Sequence, residues 1–205
     1  MELINLEPFT GKKLATHIDR HSEWLRTCNE LISVTDEFVD THRFIRNGLD
    51  LRGGDLYKKN LSLASITHSD IRGVDCREGY FCQTSFIGCD FRGADLRGAH
   101  FVCANLVDCD FRGADLSGAK FHESNLSGAK FSGAIFNDTD FCGSVLNDAD
   151  FSGADIPFAK FEYTRLVNTN FSRANLQNAN FSHIVYWSPV LDNANIDGAI
   201  GADIS

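Results

Sequence analysis

From Leu51 onward the chain sets an apolar side chain at every fifth position, through Leu56, Leu61, Ile66, Ile71, Cys76 and Phe81 without a break to Tyr186, Leu191 and Ile196. Two residues before these centres the side chain is mostly small, often alanine, as at Ala64, Ala94, Ala114, Ala134, Ala154 and Ala174. A period of five fits neither an α-helix at 3.6 residues per turn nor a strand at 2. It fits a solenoid in which each unit forms one short side and a corner, burying its centre and its small residue while three positions face water. Gly, Asn and Asp recur where the corners fall. Before Leu51 the pattern is different. Leu14, Ile18, His21, Leu25, Cys28 and Ile32 follow one another at spacings of four and three, which predicts an amphipathic helix with Thr10 as its cap, running to about Val34. The expected organisation is an N-terminal helical cap and linker over residues 1–48, a repeat rod over 49–199 and a tail over 200–205.

Blocks such as FRGADLRGAHF at 91–101 and LSGAKFHESNLSGAKF at 116–131 resemble the pentapeptide-repeat family. The resemblance spans residues 49–199 and implies an all-β solenoid, a right-handed quadrilateral β-helix that turns once per four units. The segment LATHIDRHSEWL at 14–25 is similar to the helix that precedes the repeats in many bacterial members. Sorting the centres by 20 residues checks the four-sided coil independently of the family. Side one then holds Phe91, Phe111, Phe131, Phe151 and Phe171, side three holds Phe81 through Phe181, and sides two and four hold mostly Leu or Ile. Opposite phenylalanine columns separated by smaller aliphatic walls fill a narrow interior without overpacking. At a coil spacing of ~4.8 Å the rod is roughly 36 Å long.

Composition narrows the function classes. Nineteen Lys and Arg against 28 Asp and Glu leave a net charge of −9, which argues against direct nucleic-acid binding through phosphates. No run of 18 apolar residues is present, and Lys12, Lys13, Asp19 and Arg20 interrupt any signal-peptide core, so a cytoplasmic chain with no membrane partner is expected. Seven cysteines, an odd number without metal-site spacing, suit a reducing compartment. Cys89 and Cys109 fall in the same small inward slot of neighbouring coils, ~4.8 Å apart, and are expected to be free thiols filling alanine-like space.

Candidate chemistry is sparse. His17 and His21 lie one helical turn apart, but the glutamate of a zinc-protease motif is replaced by Ile18. Gly11 to Lys13 lacks both the upstream glycine and the following hydroxyl of a phosphate loop. His100, His122, Cys82, Cys103 and Cys142 share side three but are spread over several coils. A filled rod leaves no pocket, so neither catalysis nor a cofactor or metal is expected. The leading expectation is a non-catalytic protein-interaction module.

Two surfaces stand out on that rod. Outward charges number 12 on side one, 11 on side two, 6 on side three and 3 on side four, so the girth is polarised. On side one Asp50, Asp70, Asp90 and Asp110 each precede an arginine by two residues, whereas Asp138, Asp140, Asp148, Asp150 and Asp155 form an acidic belt with no Lys or Arg between 138 and 157. Some members of the family that the chain resembles protect type II DNA topoisomerase by imitating DNA, which supplies DNA gyrase as the alternative partner. Residues 49–205 carry 20 acidic against 13 basic side chains, a net of −7. A DNA stretch of that length carries roughly 21 charges, so the mimicry is about one-third strength. The chain also ends in DGAIGADIS, unlike the quinolone-resistance members, which dimerise through a C-terminal helical module. The second surface is side four, where the five-residue count turns Val167 and Trp187 outward beside Val145 and Val185, with Phe158 and Tyr163 on the adjoining sides. Such a patch is a candidate contact for a protein partner or a second copy. The competing expectation is that Pro189 directs residues 181–200 over the end, making Trp187 a cap.

Overall fold

The computed structural model describes residues 45–201; the helix expected between Thr10 and Val34 and the tail beyond residue 201 lie outside the described residues. Each five-residue unit from Gly48 onward, except that of Ser188, makes one turn whose third residue has φ between about +50° and +71°, as at Gly53, Lys58 and Leu63. The turn closes with a hydrogen bond such as that from the Gly54 amide to the Leu51 carbonyl at 2.9 Å. A closed turn with a left-handed third residue is a type II turn, so glycine, asparagine and aspartate recur at the corners because they occupy that region at least cost. Four units make one coil. Asp50 bridges Asp70, Asp70 bridges Asp90 and Asp90 bridges Asp110, all parallel and 20 residues apart.

Regular strands are few because most sides are only one bridge long. β1 (Ile45–Asn47) pairs in parallel with β2 (Ser65–Thr67), and β3 (Arg165–Asn170) pairs in parallel with β4 (Tyr186–Val190). Between these ends the coils are joined on each side by a few amide-to-carbonyl bonds, for example Phe91 N to Asp110 O and Asp110 N to Cys89 O. Backbone bonds thus either close the corners or join stacked coils, and the cross-section is left to side chains.

That cross-section is solid. The phenylalanines of side one stack at 4.4 to 5.2 Å from Phe91 to Phe171, and those of side three at 5.0 to 5.3 Å from Phe81 to Phe181. Across the rod the two columns meet edge to face, as at Phe111–Phe121 with 6.1 Å and 77°. Parallel rings along the axis and perpendicular rings across it are both favourable arrangements of the ring quadrupoles. Phe86 and Phe136 join them from sides four and two. The inward small slots are equally full. A Cβ on Gly79 would lie 2.6 Å from the Phe81 ring, so this slot admits no side chain where other coils take alanine. Where the slot holds Thr84, Thr139 or Thr169, the hydroxyl donates to a carbonyl of the coil below at 2.7 to 2.9 Å. Cys89 and Cys109 do the same with their thiols, to Ile66 O and Phe86 O, and both are free. A buried polar atom is tolerated here because each coil supplies an acceptor directly beneath it.

The last coil departs from the count. Arg165 pairs with Tyr186, Leu166 with Trp187 and Val167 with Ser188, one residue beyond the 20-residue register, and Asn170 returns to it at Val190. Side four thus gains a residue as a β-bulge at Val185–Tyr186, and the next corner, at Pro189, loses one. The expectation that Trp187 points outward is corrected: its indole packs edge-on against Phe181 at 5.3 Å and 74°, against the end of the core. Tyr186, which the count places inside, is the residue turned out. Burying a phenol against the end of an all-hydrocarbon column would strand its hydroxyl, whereas the indole closes the column with ring surface.

Candidate functional site

The acidic belt resolves into individual carboxylates with structural tasks. Aspartate or asparagine before a centre accepts the amide two residues on, closing the turn from outside, as Asp140 does from Cys142 N and Asp150 from Ser152 N, both at 3.0 Å. Asp150 and two other members of the belt also take a side-chain amide from the coil above. Asn168 donates to Asp148 at 3.2 Å, Asn170 to Asp150 at 3.0 Å and Asn175 to Asp155 at 2.8 Å. Asp140 lies 2.8 Å from His122 Nε2 and 3.8 Å from Lys160 Nζ. Asp138 sits at a side-two corner with φ +55°, so the five residues are distributed around all four sides and do not converge.

Sides one and two carry a different ladder. Each arginine grips the aspartate two residues earlier with two bonds, Arg72 Nε to Asp70 Oδ1 at 2.8 Å and Nη2 to Oδ2 at 2.6 Å, and reaches the aspartate of the next coil at 3.6 Å. The same geometry recurs at Arg52, Arg77, Arg92 and Arg97. The bidentate arginine holds Asp70, Asp75 and Asp95 below the usual carboxylate range, and Asp50 is brought down to about 2 by Arg52. Burial on its own would raise Asp110, and the Arg112 bonds overcome it.

Side three brings Cys142 between two carboxylates. Its thiol donates to Glu162 Oε2 at 3.1 Å, and burial, with Asp140 and Glu162 adding their charge, pushes its pKa far above the ordinary value. Such a thiol is a poor nucleophile. Among the described residues no group of three or more His, Cys, Asp or Glu side chains is placed to hold a metal ion.

The apolar candidates do gather. Of nine large hydrophobic side chains that are exposed among the described residues, six lie at or beyond Phe158. Phe158 is 64% exposed, Tyr163 58%, Tyr186 57% and Val185 50%. Tyr163 stacks on His183 of the next coil at 5.0 Å, and the Arg165 guanidinium lies 5.5 Å from the Tyr186 ring centre. Val145 pairs with Arg165 in the column that leads to Val185, and Val167 lies half-buried on the far side of that column. The structure therefore joins Tyr163, His183, Arg165, Val185 and Tyr186 at the corner of sides three and four. Phe158 lies at the preceding corner, across side three, and Trp187 belongs to the core end. His183 shares Tyr163's corner column 20 residues on, so periodicity alone gives access to it. Tyr186 needed the bulge, which five-residue counting cannot see.

The family description "Pentapeptide repeats", in 8 copies, matches residues 67–101, 75–113, 89–128, 124–157 and 158–184, more than half of the chain. No curated protein matches it. Among solved structures the chain is similar to QnrB1, a plasmid-mediated fluoroquinolone resistance protein. A trypsin-treated variant superposes with a TM-score of 0.65 at 18% identity, covering 78% of this chain and 89% of the other. Full-length QnrB1 gives a TM-score of 0.51 at 19% identity, over 78% and 88%. At such identities the likeness concerns the fold, a right-handed β-helical solenoid. Its repeats match the family over most of the described rod, and the chain belongs to the pentapeptide-repeat family.

Proposed function

We propose that this chain is a non-catalytic protein-interaction rod whose contact surface is the aromatic corner of sides three and four. The observation that carries this reading is the concentration of exposed large apolar side chains at and beyond Phe158. Tyrosine and arginine dominate binding at protein contacts, and here they stand pre-stacked on rigid coils. A second feature supports it. Phe158 and Tyr163 both occupy left-handed corners, with φ +60°, which costs about 1–2 kcal/mol for an L-residue. At these two corners an exposed ring stands where glycine or asparagine would cost less.

The test pairs binding with folding. Phe158→Asn with Tyr163→Asn removes both rings while supplying a residue suited to the corners. The variant is expected to melt at or above the wild-type temperature and to lose partners captured from the native host by the wild type. Retention of the same partners by the folded variant overturns the assignment. Topoisomerase binding by DNA mimicry is the second reading, favoured by the rod dimensions and the net −7 of residues 49–205. It predicts that converting Asp138, Asp148 and Asp155 to Asn relieves an effect on gyrase supercoiling. No effect of the wild type on supercoiling removes it.

A further inference from the structure

Side one is raised over its first half and sunken over its second. Arg52, Arg72, Arg92 and Arg112 stand outward on four successive coils, and the next three coils put serine in that row. Around Ser152 and Ser172 the surface opens into a depression of about 440 Å³, with Gly153, Arg173, Asp192 and Asn193 completing its wall. Arg173 is the one arginine with a described side chain that has neither a carboxylate nor a ring as partner. In the aspartate row the sign reverses at the same level, where Lys130 follows Asp110.

We propose that the occupant of this face is side one of a second copy, running antiparallel. A two-fold axis lying in the face, between the coils of Phe111 and Phe131, sets each outward row against itself in reverse. Arg52 then meets Asp192 and Asp110 meets Lys130, while Arg72 and Arg92 enter the depression at Ser172 and Ser152. Arg173 comes opposite Gly73, whose absent Cβ has nothing within 4 Å. Every contact occurs twice, as an isologous interface requires. One like-charged pair arises, Asp90 opposite Asp150; Arg92 already neutralises the first at 2.6 Å, and the second takes the Asn170 amide at 3.0 Å. A parallel arrangement would leave the two sunken halves facing across a gap. One side of a roughly 36 Å rod offers less than the ~800 Å² per partner of a standard interface. The dimer is accordingly weak and salt-sensitive.

Sedimentation equilibrium of the full chain over a concentration series at low ionic strength tests this. Wild type is expected to associate, and added salt to weaken it. Arg52→Asp and Asp192→Arg each set like charges at both symmetry-related contacts, and each alone is expected to weaken association by about tenfold or more. Mixed one to one, the two variants present opposite charges at every such contact, and association returns. Ser152→Trp, which fills the depression without changing charge, is expected to abolish it, with unchanged circular dichroism. The Phe158→Asn, Tyr163→Asn variant leaves the dimer intact, because both corners lie off side one. A monomeric wild type, a mixture no tighter than its components, or normal association of Ser152→Trp each overturns the antiparallel dimer without bearing on the aromatic corner.

Discussion

Phe131 shows what a single residue contributes. Its ring contacts Phe111 and Phe151 along the column and Phe141 across it, at 5.2, 4.4 and 6.1 Å. Phe131→Ala is expected to cost about 3–5 kcal/mol, because stacked coils cannot collapse sideways into the void; an unchanged denaturation midpoint would contradict a shared column. Trp187→Ala is expected to destabilise as a core substitution does, since its ring covers Phe181 at the rod end, whereas Tyr186→Ser leaves the melt unchanged. The cysteines make a graded probe. Cys103 is exposed, whereas Cys76, Cys89 and Cys109 are buried, and burial pushes Cys89 up to about 12. Among the described cysteines, alkylation of the native protein is therefore expected to modify Cys103 first, with the three buried thiols reacting only on unfolding. Early labelling of Cys109 would mean that the coils open locally.

At the scale of one coil the surface chemistry changes along the rod, from Asp–Arg ladders in the first coils to Asn–Asp and Asn–Asn ladders in the last, where Asn195 donates to Asn175. Both bridge stacked coils. Asp70, Asp75 and Asp95 have folded pKa values lowered by their arginines, and Asp50 stands at about 2. Their contribution is complete above the unfolded value of about 3.9 and is lost as pH falls toward 2. These pairs are largely solvated, so each is worth little. The melting temperature is expected to decline below about pH 4, and combined Arg72→Gln and Arg77→Gln to flatten that decline. An equally steep acid decline in the double variant would place the acid sensitivity elsewhere.

Over the whole molecule the two ends differ. At the N-terminal end Leu51, Leu56 and Leu61 are buried, while at the other end Trp187, Leu191 and Ile196 are only partly so. Among the described residues no further coil receives the outward amides and carbonyls of the last one, and local opening starts where such bonds are fewest. Hydrogen exchange is expected to be fastest from β4 to Ile200 and slowest in the coils between Phe101 and Phe161. Uniform protection along the rod would show that the last coil is covered in solution.

The period of five determined most of this architecture in advance, because every centre must enter the same narrow interior and each unit has one corner in which to turn. The phenylalanine columns, the slots of Cys89 and Cys109 and the Asp–Arg ladders follow from position modulo 20, since stacked coils make sequence distance and spatial distance interchangeable. The acidic belt was legible as a list of residues but not as a site: only the coil-to-coil hydrogen bonds show Asp148, Asp150 and Asp155 engaged by asparagines. The end of the rod was decided by tertiary structure. An added residue at Val185–Tyr186 and a lost one at Pro189 cancel within a single coil, so the count passes through undisturbed while Trp187 and Tyr186 exchange inside for outside. Periodicity conserves the sum of residues per coil, and only packing against Phe181 determines which of two adjacent rings enters the core.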